Sequence, residues 1–340
     1  MKTIFGAMNI GEPGDGRTRV HTLQEAQEML TTFQTYNHKD IDTARVYGNG
    51  SSEKFLAQMH LESGINIDTK LFPTAVNSAL ASADELYHHS PIDLRRGLQA
   101  SLDALNVEQV HIWYLHSPDR TIPFETTLRE VNALYKEGLF EKWGLSNYQS
   151  WEVSRICEIC ERNGWVKPSV CQGIYNAFHR AVEPELLTCL RVYGIAFYCF
   201  NPLAAGILTG RYTREQLGAK KEGGGGGDQT TGGRFDVATG PGRHIRKRYY
   251  HDVYFDAVEG LRRVMRGYGL TEVECALRWL KHHSRLEEEL GDGIVIGCSN
   301  GQQLEENLKA LEGGPLPEEV VDALDKGWEG IRGKELVYWH

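Results

Sequence analysis

An aspartate, a tyrosine, a lysine and a histidine fall at or just past the ends of three successive short apolar runs. Asp42 closes the run in "KDIDTA" and Tyr47 follows it, Lys70 ends "INIDTK", and His116 ends "VHIWYLH". A free tyrosine titrates near about 10, too high for a base and weak as an acid at neutral pH. A nearby ammonium favours the phenolate and lowers that value, and a carboxylate beside the lysine keeps it charged and oriented. A histidine alongside donates to a substrate oxygen and positions it. Together the four suit proton delivery to a carbonyl oxygen as hydride arrives at carbon. No side chain supplies hydride, so the set implies a nicotinamide cofactor. Each residue alone has a plainer reading: Asp42 as a turn former, Tyr47 as packing, Lys70 snorkelling to solvent, His116 as a structural histidine. Their joint placement on one face favours chemistry.

That placement requires a scaffold. Apolar runs at 3–7, 39–44, 65–70, 110–116, 140–146, 169–175, 195–201 and 293–299 read as strands. Amphipathic stretches at 22–35, 51–60, 91–105, 123–137, 150–163, 183–193, 250–283 and 301–312 read as helices. Proline in the first turn at Pro91 and Pro123, Ser150 as a cap, and Gly138 and Gly164 as stops mark several ends. Strand–helix alternation predicts an α/β fold, a (β/α)8 TIM barrel with extra C-terminal helices, as one domain over 1–340. The competing open sheet needs Gly-x-Gly-x-x-Gly after an early strand. "YGNGSSE" has Gly48 and Gly50 but Glu53 in the third place. In a barrel, polar residues at the carboxyl ends of strands read as functional. Ser146, Asn147, Gln172, Asn201, Ser299 and Asn300 join the four above on that test.

The segment 222–242, "EGGGGGDQTTGGRFDVATGPG", is glycine-dense and predicts a long mobile loop after strand 7, either a surface insertion or a flap over the site. The basic "RHIRKRYYH" that follows is a solvated helix start or an anion-binding rim. A net charge of -9 argues against a nucleic-acid partner. No apolar run is long enough to cross a bilayer, and the start is not a signal peptide. Seven scattered cysteines fit a reducing, cytoplasmic setting. Cys157 and Cys160 form C-x-x-C without a second pair, so buried helix thiols are expected and no metal.

"DTARVYGNGSSE", "YLHSPD", "GLSNYQSWEV", "QGIYNAFHR", "FNPLAAGILTGRY" and "GCSNGQQLEENL" run in order along the chain. In these the sequence resembles the aldo-keto reductases, most nearly the aflatoxin-aldehyde-reductase subfamily. The resemblance implies NADPH-dependent reduction of a small-molecule aldehyde or ketone, in a protein that is often a homodimer. It implies Tyr47 as proton donor, tuned by Lys70 and Asp42, with His116 orienting the carbonyl. Ser146, Asn147 and Gln172 would hold the nicotinamide carboxamide and Phe200 its ring. Asn201, Pro202, Leu203 and Gly206 would follow the diphosphate; Arg211, Gly297, Ser299, Gln303, Glu306 and Asn307 would hold the adenosine end. Met8, His116 and Arg248 would meet substrate, Arg248 as the partner of an acidic group. Ile245 replaces a subfamily tyrosine before that arginine, which leaves a bulkier or less acidic carbonyl open. Two other functions stay open: a regulatory subunit like those attached to potassium channels, and a barrel isomerase or lyase.

Overall fold

The computed structural model describes residues 1–14, 16–77, 85–214 and 234–340. Eight parallel strands close into a barrel in chain order: β1 (Lys2–Gly6), β2 (Asp40–Asp42), β3 (Asn66–Leu71), β4 (Val110–Leu115), β5 (Phe140–Ser146), β6 (Val170–Ile174), β7 (Ala196–Phe200) and β8 (Gly293–Ile296). β1 closes on β8, Lys2 opposite Gly293 and Phe5 opposite Ile296. Side chains alternate across the barrel wall. Ile4, Ile112, Tyr114, Val170, Tyr198 and Val295 fill the interior. Phe5, Ile41, Trp113, Leu115, Trp143 and Phe197 face the helices in the larger outer core.

Among the described residues the helices are α1 (Leu23–Thr35), α2 (Ser51–Gln58), α3 (Pro91–Leu105), α4 (Phe124–Lys136), α5 (Ser150–Asn163), α6 (Leu186–Tyr193), α7 (Gly240–Tyr249), α8 (Asp252–Met265), α9 (Glu272–His282), α10 (Gly301–Glu312) and α11 (Glu318–Ile331). Local chemistry sets their ends. Ser90 accepts from the Asp93 N–H ahead of Pro91 at the start of α3, and Gly164 ends α5 in the left-handed region. Gln149, not Ser150, stands at the cap of α5, its N–H held by Glu152 Oε2 at 2.9 Å. The stretch expected as one helix over 250–283 is two, because Gly269 turns left-handed (φ 64) and Thr271 opens a new capping box. α11 lies against α8 and the loop after β6 at Gly327. A Cβ there would fall 2.7 Å from Phe178 and 3.1 Å from Ala257, so the close approach needs glycine.

Residues 222–233 of the expected loop lie outside the described residues. From Arg234 onward the chain is built into the structure. Phe235 is fully buried, with ring centroids 4.7 Å from Tyr212 and 5.2 Å from Tyr250, and α7 already begins at Gly240. Among the described residues no helix is long and apolar enough to cross a membrane.

Candidate active site

β2 and β3 bring the first pair together. Lys70 is fully buried, and its Nζ donates to Asp42 Oδ2 at 2.6 Å and to the Thr43 carbonyl at 2.8 Å. Gln172 on β6 donates its Nε2 to Asp42 Oδ1 at 2.7 Å, so both carboxylate oxygens are engaged. Burial opposes the lysine's charge, but Asp42 and then Tyr47 outweigh it and its pKa is raised. It is an ammonium at neutral pH.

Tyr47 begins a single tight turn, Tyr47–Gly50, between β2 and α2. Gly48, Asn49 and Gly50 are all left-handed, at φ 56, 52 and 85. Ser51 hydroxyl donates back to the Gly48 carbonyl at 2.6 Å instead of capping α2, and Gly50 occupies the cap position. Lys70 Nζ stands 5.1 Å from the centroid of the Tyr47 ring. The ammonium was expected to lower the phenol's pKa on balance. Here burial is the larger influence, Lys70 only opposes it, and the value rises above 10.0. The phenol therefore holds its proton at neutral pH.

His116 follows β4 and its N–H donates to the Leu71 carbonyl at 3.0 Å. Its ring meets Tyr47 edge-on at 5.7 Å and Phe72 at 5.5 Å between centroids. Burial, then Lys70, His340 and Arg17, hold its pKa well below 6.5, so the imidazole is neutral. Its Nδ1 is buried without a partner among the described residues. Asn147 donates its Nδ2 to the His116 carbonyl at 2.9 Å and to Ser146 Oγ at 3.0 Å. Ser146, Asn147 and Gln172 thus converge, all buried, at the carboxyl ends of β5 and β6.

The segment after β7 is strained. Asn201, Ala204 and Ala205 adopt φ 55, 49 and 54, followed by Gly206 at 107. Left-handed alanines cost about 1 kcal/mol or more each and gather at functional sites. Phe200 and Leu203 are half-buried, Pro202 is buried and Arg211 is exposed. After β8, Gly297 is exposed. Ser299 N–H donates to Gln303 Oε1 at 3.2 Å, and Asn300 caps α10 by accepting from Gln303 N–H at 3.0 Å. The first turn of α10 carries no acidic residue; Glu306 is exposed and Asn307 buried.

Met8 is half-buried in the turn after β1, where Asn9 Nδ2 donates to the Cys298 carbonyl at 2.7 Å. Arg248 is buried in α7, with Nη1 3.0 Å from His179 Nε2 and donating to the carbonyls of Val337 at 3.0 Å and Leu336 at 3.3 Å. Its visible contacts anchor the 333–340 segment and do not reach Tyr47. That segment runs on to the catalytic wall, His340 N–H donating to the Asn147 carbonyl at 3.1 Å. Sequence reasoning missed His340, Phe72 and Arg17, whose Nη1 donates to the Val46 carbonyl at 3.2 Å beside Tyr47. Only Phe72, just beyond Lys70 at the end of β3, had a positional signal. Cys157 and Cys160 are free and buried on α5, their thiols pushed up to about 12 by burial.

A sequence model of the aldo/keto reductase family matches residues 2–329. The chain belongs to the aldo/keto reductase family. It is similar to the aldo-keto reductase pigE of Monascus ruber, 46% identical over 99% of this chain and 96% of that protein. Human aldo-keto reductase family 7 member A3 is 39% identical, and human aflatoxin B1 aldehyde reductase member 4 is 37% identical. Each of those alignments spans 96% of this chain and 93% of the relative. This aldo/keto reductase is accordingly an oxidoreductase of carbonyl compounds.

Proposed function

We propose that the protein reduces an aldehyde or ketone to the alcohol, with NADPH as hydride donor and Tyr47 as proton donor. The observation that carries this is the buried Lys70 ammonium, 2.6 Å from Asp42 and 5.1 Å from the Tyr47 ring centroid, beside a neutral His116. Asp42 keeps Lys70 charged against the opposing influence of burial. The ammonium is then in place to stabilise the phenolate that forms as Tyr47 gives its proton to the carbonyl oxygen. A neutral imidazole donates one N–H to the same oxygen and sets its direction.

The residues at the rim suit a dinucleotide. Gln172 spends only its amide nitrogen on Asp42, which leaves its Oε1 for the nicotinamide carboxamide beside Ser146 and Asn147. Phe200 would flank the ring. The left-handed backbone from Asn201 through Pro202 and Leu203 to Gly206 would follow the diphosphate, and Arg211, Gly297, Ser299, Gln303, Glu306 and Asn307 the adenosine end. An α10 N-terminus without acidic residues favours phosphate. When bound, NADPH supplies the hydride. Met8 and His116 would face substrate. The relatives named for aldehyde reduction support the substrate class, and seven free cysteines support the cytoplasm as its setting.

The test is oxidation of NADPH, and of NADH in parallel, against a panel of neutral and carboxylated carbonyls. Tyr47→Phe should lower kcat at least about 100-fold while NADPH binding holds. A variant that keeps most of kcat refutes the proton-donor role. Carbonyl-independent binding without turnover would point to a regulatory subunit, and product formed without NADPH consumed to an isomerase or lyase.

A further inference from the structure

Glu53 is fully buried in the first turn of α2, and its carboxylate joins three elements. Oε2 accepts from Arg45 Nη1 at 2.7 Å, and Oε1 accepts from Thr69 Oγ1 at 2.7 Å. Thr69 is the residue before Lys70 on β3. Arg45 is also tied to that strand by its backbone, its N–H donating to the Lys70 carbonyl at 3.0 Å. The second guanidinium arm, Nη2, donates to Glu85 Oε1 at 2.8 Å. Glu85 lies in the excursion between β3 and α3, and Thr74 of the same excursion donates its hydroxyl to the Glu85 carbonyl. Phe72, at the root of that excursion, sets its ring against His116.

The guanidinium also fills the underside of the turn that presents Tyr47. A Cβ on Gly50 would fall 2.6 Å from Arg45 Nη2 and 3.0 Å from its Cζ. The turn contains three left-handed residues and has no regular helix to hold its shape. We propose that the Arg45–Glu53 ion pair is the positioning device for Tyr47: Arg45 wedges the turn and Glu53 locks the wedge to the strand that carries Lys70. Arg45 and Glu53 are positioning residues, since neither touches reacting atoms. A purely structural role explains the pair less well. Burying two charges costs several kcal/mol in desolvation, and apolar residues of similar volume often fold as stably. Burial works against the Arg45 charge, yet Glu53 and then Glu85 more than offset it and raise its pKa, so the guanidinium keeps its charge.

This assignment rests on Tyr47 as proton donor, and the test separates the two. Arg45→Met/Glu53→Leu replaces the pair with apolar volume, and Glu85→Gln serves as the control at the more exposed arm. In the double replacement, with melting well above the assay temperature, kcat should fall about 10- to 100-fold. The KM for carbonyl and the Kd for NADPH should stay within about 2-fold, the pattern of a misplaced catalytic group. Glu85→Gln should stay within about 3-fold of the parent. Glu53→Gln and Arg45→Lys, made singly, should each lose about as much as the double, because they break one device. A readout free of turnover accompanies these. The difference in phenol titration between the protein and Tyr47→Phe reports Tyr47 alone, and in the double replacement it should move down toward the ordinary value near about 10. A folded double replacement with parental kcat and parental Tyr47 titration overturns the proposal. If no carbonyl is turned over by the parent, the assigned reaction fails, and the titration shift still decides the positioning role.

Discussion

Asp68 makes a pH-dependent prediction with a definite sign. It sits on β3 one inward position below Lys70, almost fully buried, with Oδ1 2.8 Å from His111 Nδ1. Its Oδ2 is buried with no hydrogen-bond partner among the described residues. Burial raises its pKa from 3.8 to about 6; His111 opposes the shift, while Asp42 and Asp40 add to it. Between those two values the folded chain holds a proton that the unfolded chain has released, so stability falls as pH rises. The gap of about 2 units, at about 1.4 kcal/mol per unit, makes the loss about 3 kcal/mol, complete by pH 7. Asp68→Asn keeps an acceptor for His111 and cannot ionise. Its stability relative to the parent should therefore improve by about 2.5 kcal/mol between pH 4 and pH 7, whatever the fixed cost of the substitution. Urea unfolding of both proteins at several pH values measures this directly. A difference that stays flat within about 0.5 kcal/mol across that range refutes the argument. A difference that grows toward low pH refutes its sign.

Two further predictions follow from groups at the rim. Arg248→Ala removes the donor to the Leu336 and Val337 carbonyls. It should cost about 2–3 kcal/mol, speed proteolysis within 333–340, and raise KM for neutral and carboxylated carbonyls alike; a rise confined to carboxylated ones would instead mark Arg248 as a substrate contact. Because His116 is neutral well below 6.5, the kcat profile should show no acidic limb between pH 6 and pH 8 that His116→Gln removes. Such a limb in steady-state assays would contradict the neutral imidazole.

The barrel was legible because its strands are short apolar runs separated by well-signalled helices. α3 and α5 fall at 91–105 and 150–163 as read, for the reason that Pro91 and Gly164 punctuate the chain locally. α7 was read only as a solvated helix start or an anion-binding rim, since "GPGRHIRKRY" looks polar and its burial comes from partners distant in sequence, Arg248 on the tail and Tyr249 on Asn176. α11 falls among the extra C-terminal helices expected, but without bounds, although Val320, Leu324, Gly327 and Ile331 form a helical stripe. In the site, strand-end polarity picked out Asp42, Lys70, His116 and Gln172. It did not pair Gln172 with Asp42, because register across the barrel interior is not encoded locally. The sign of the Tyr47 shift was missed for a similar reason: charge proximity can be guessed from spacing, whereas depth of burial depends on the whole packed rim.

The pairing of β1 with β8 also governs how the protein is made. Asp42, Tyr47, Lys70 and His116 all lie in the N-terminal part of the chain and are synthesised long before β8. Yet β1 gains its second neighbour only when Gly293–Ile296 arrives, and Asn9 waits for the Cys298 carbonyl. At about 5–20 residues per second that interval lasts roughly 10–40 s. Through it the nascent sheet keeps an unpaired edge at β1, a template for wrong strands. Joining ends so far apart in sequence is intrinsically slow. The catalytic wall is therefore written early and assembled late, and a chain stalled before β8 would carry every acid–base residue on an open, aggregation-prone sheet.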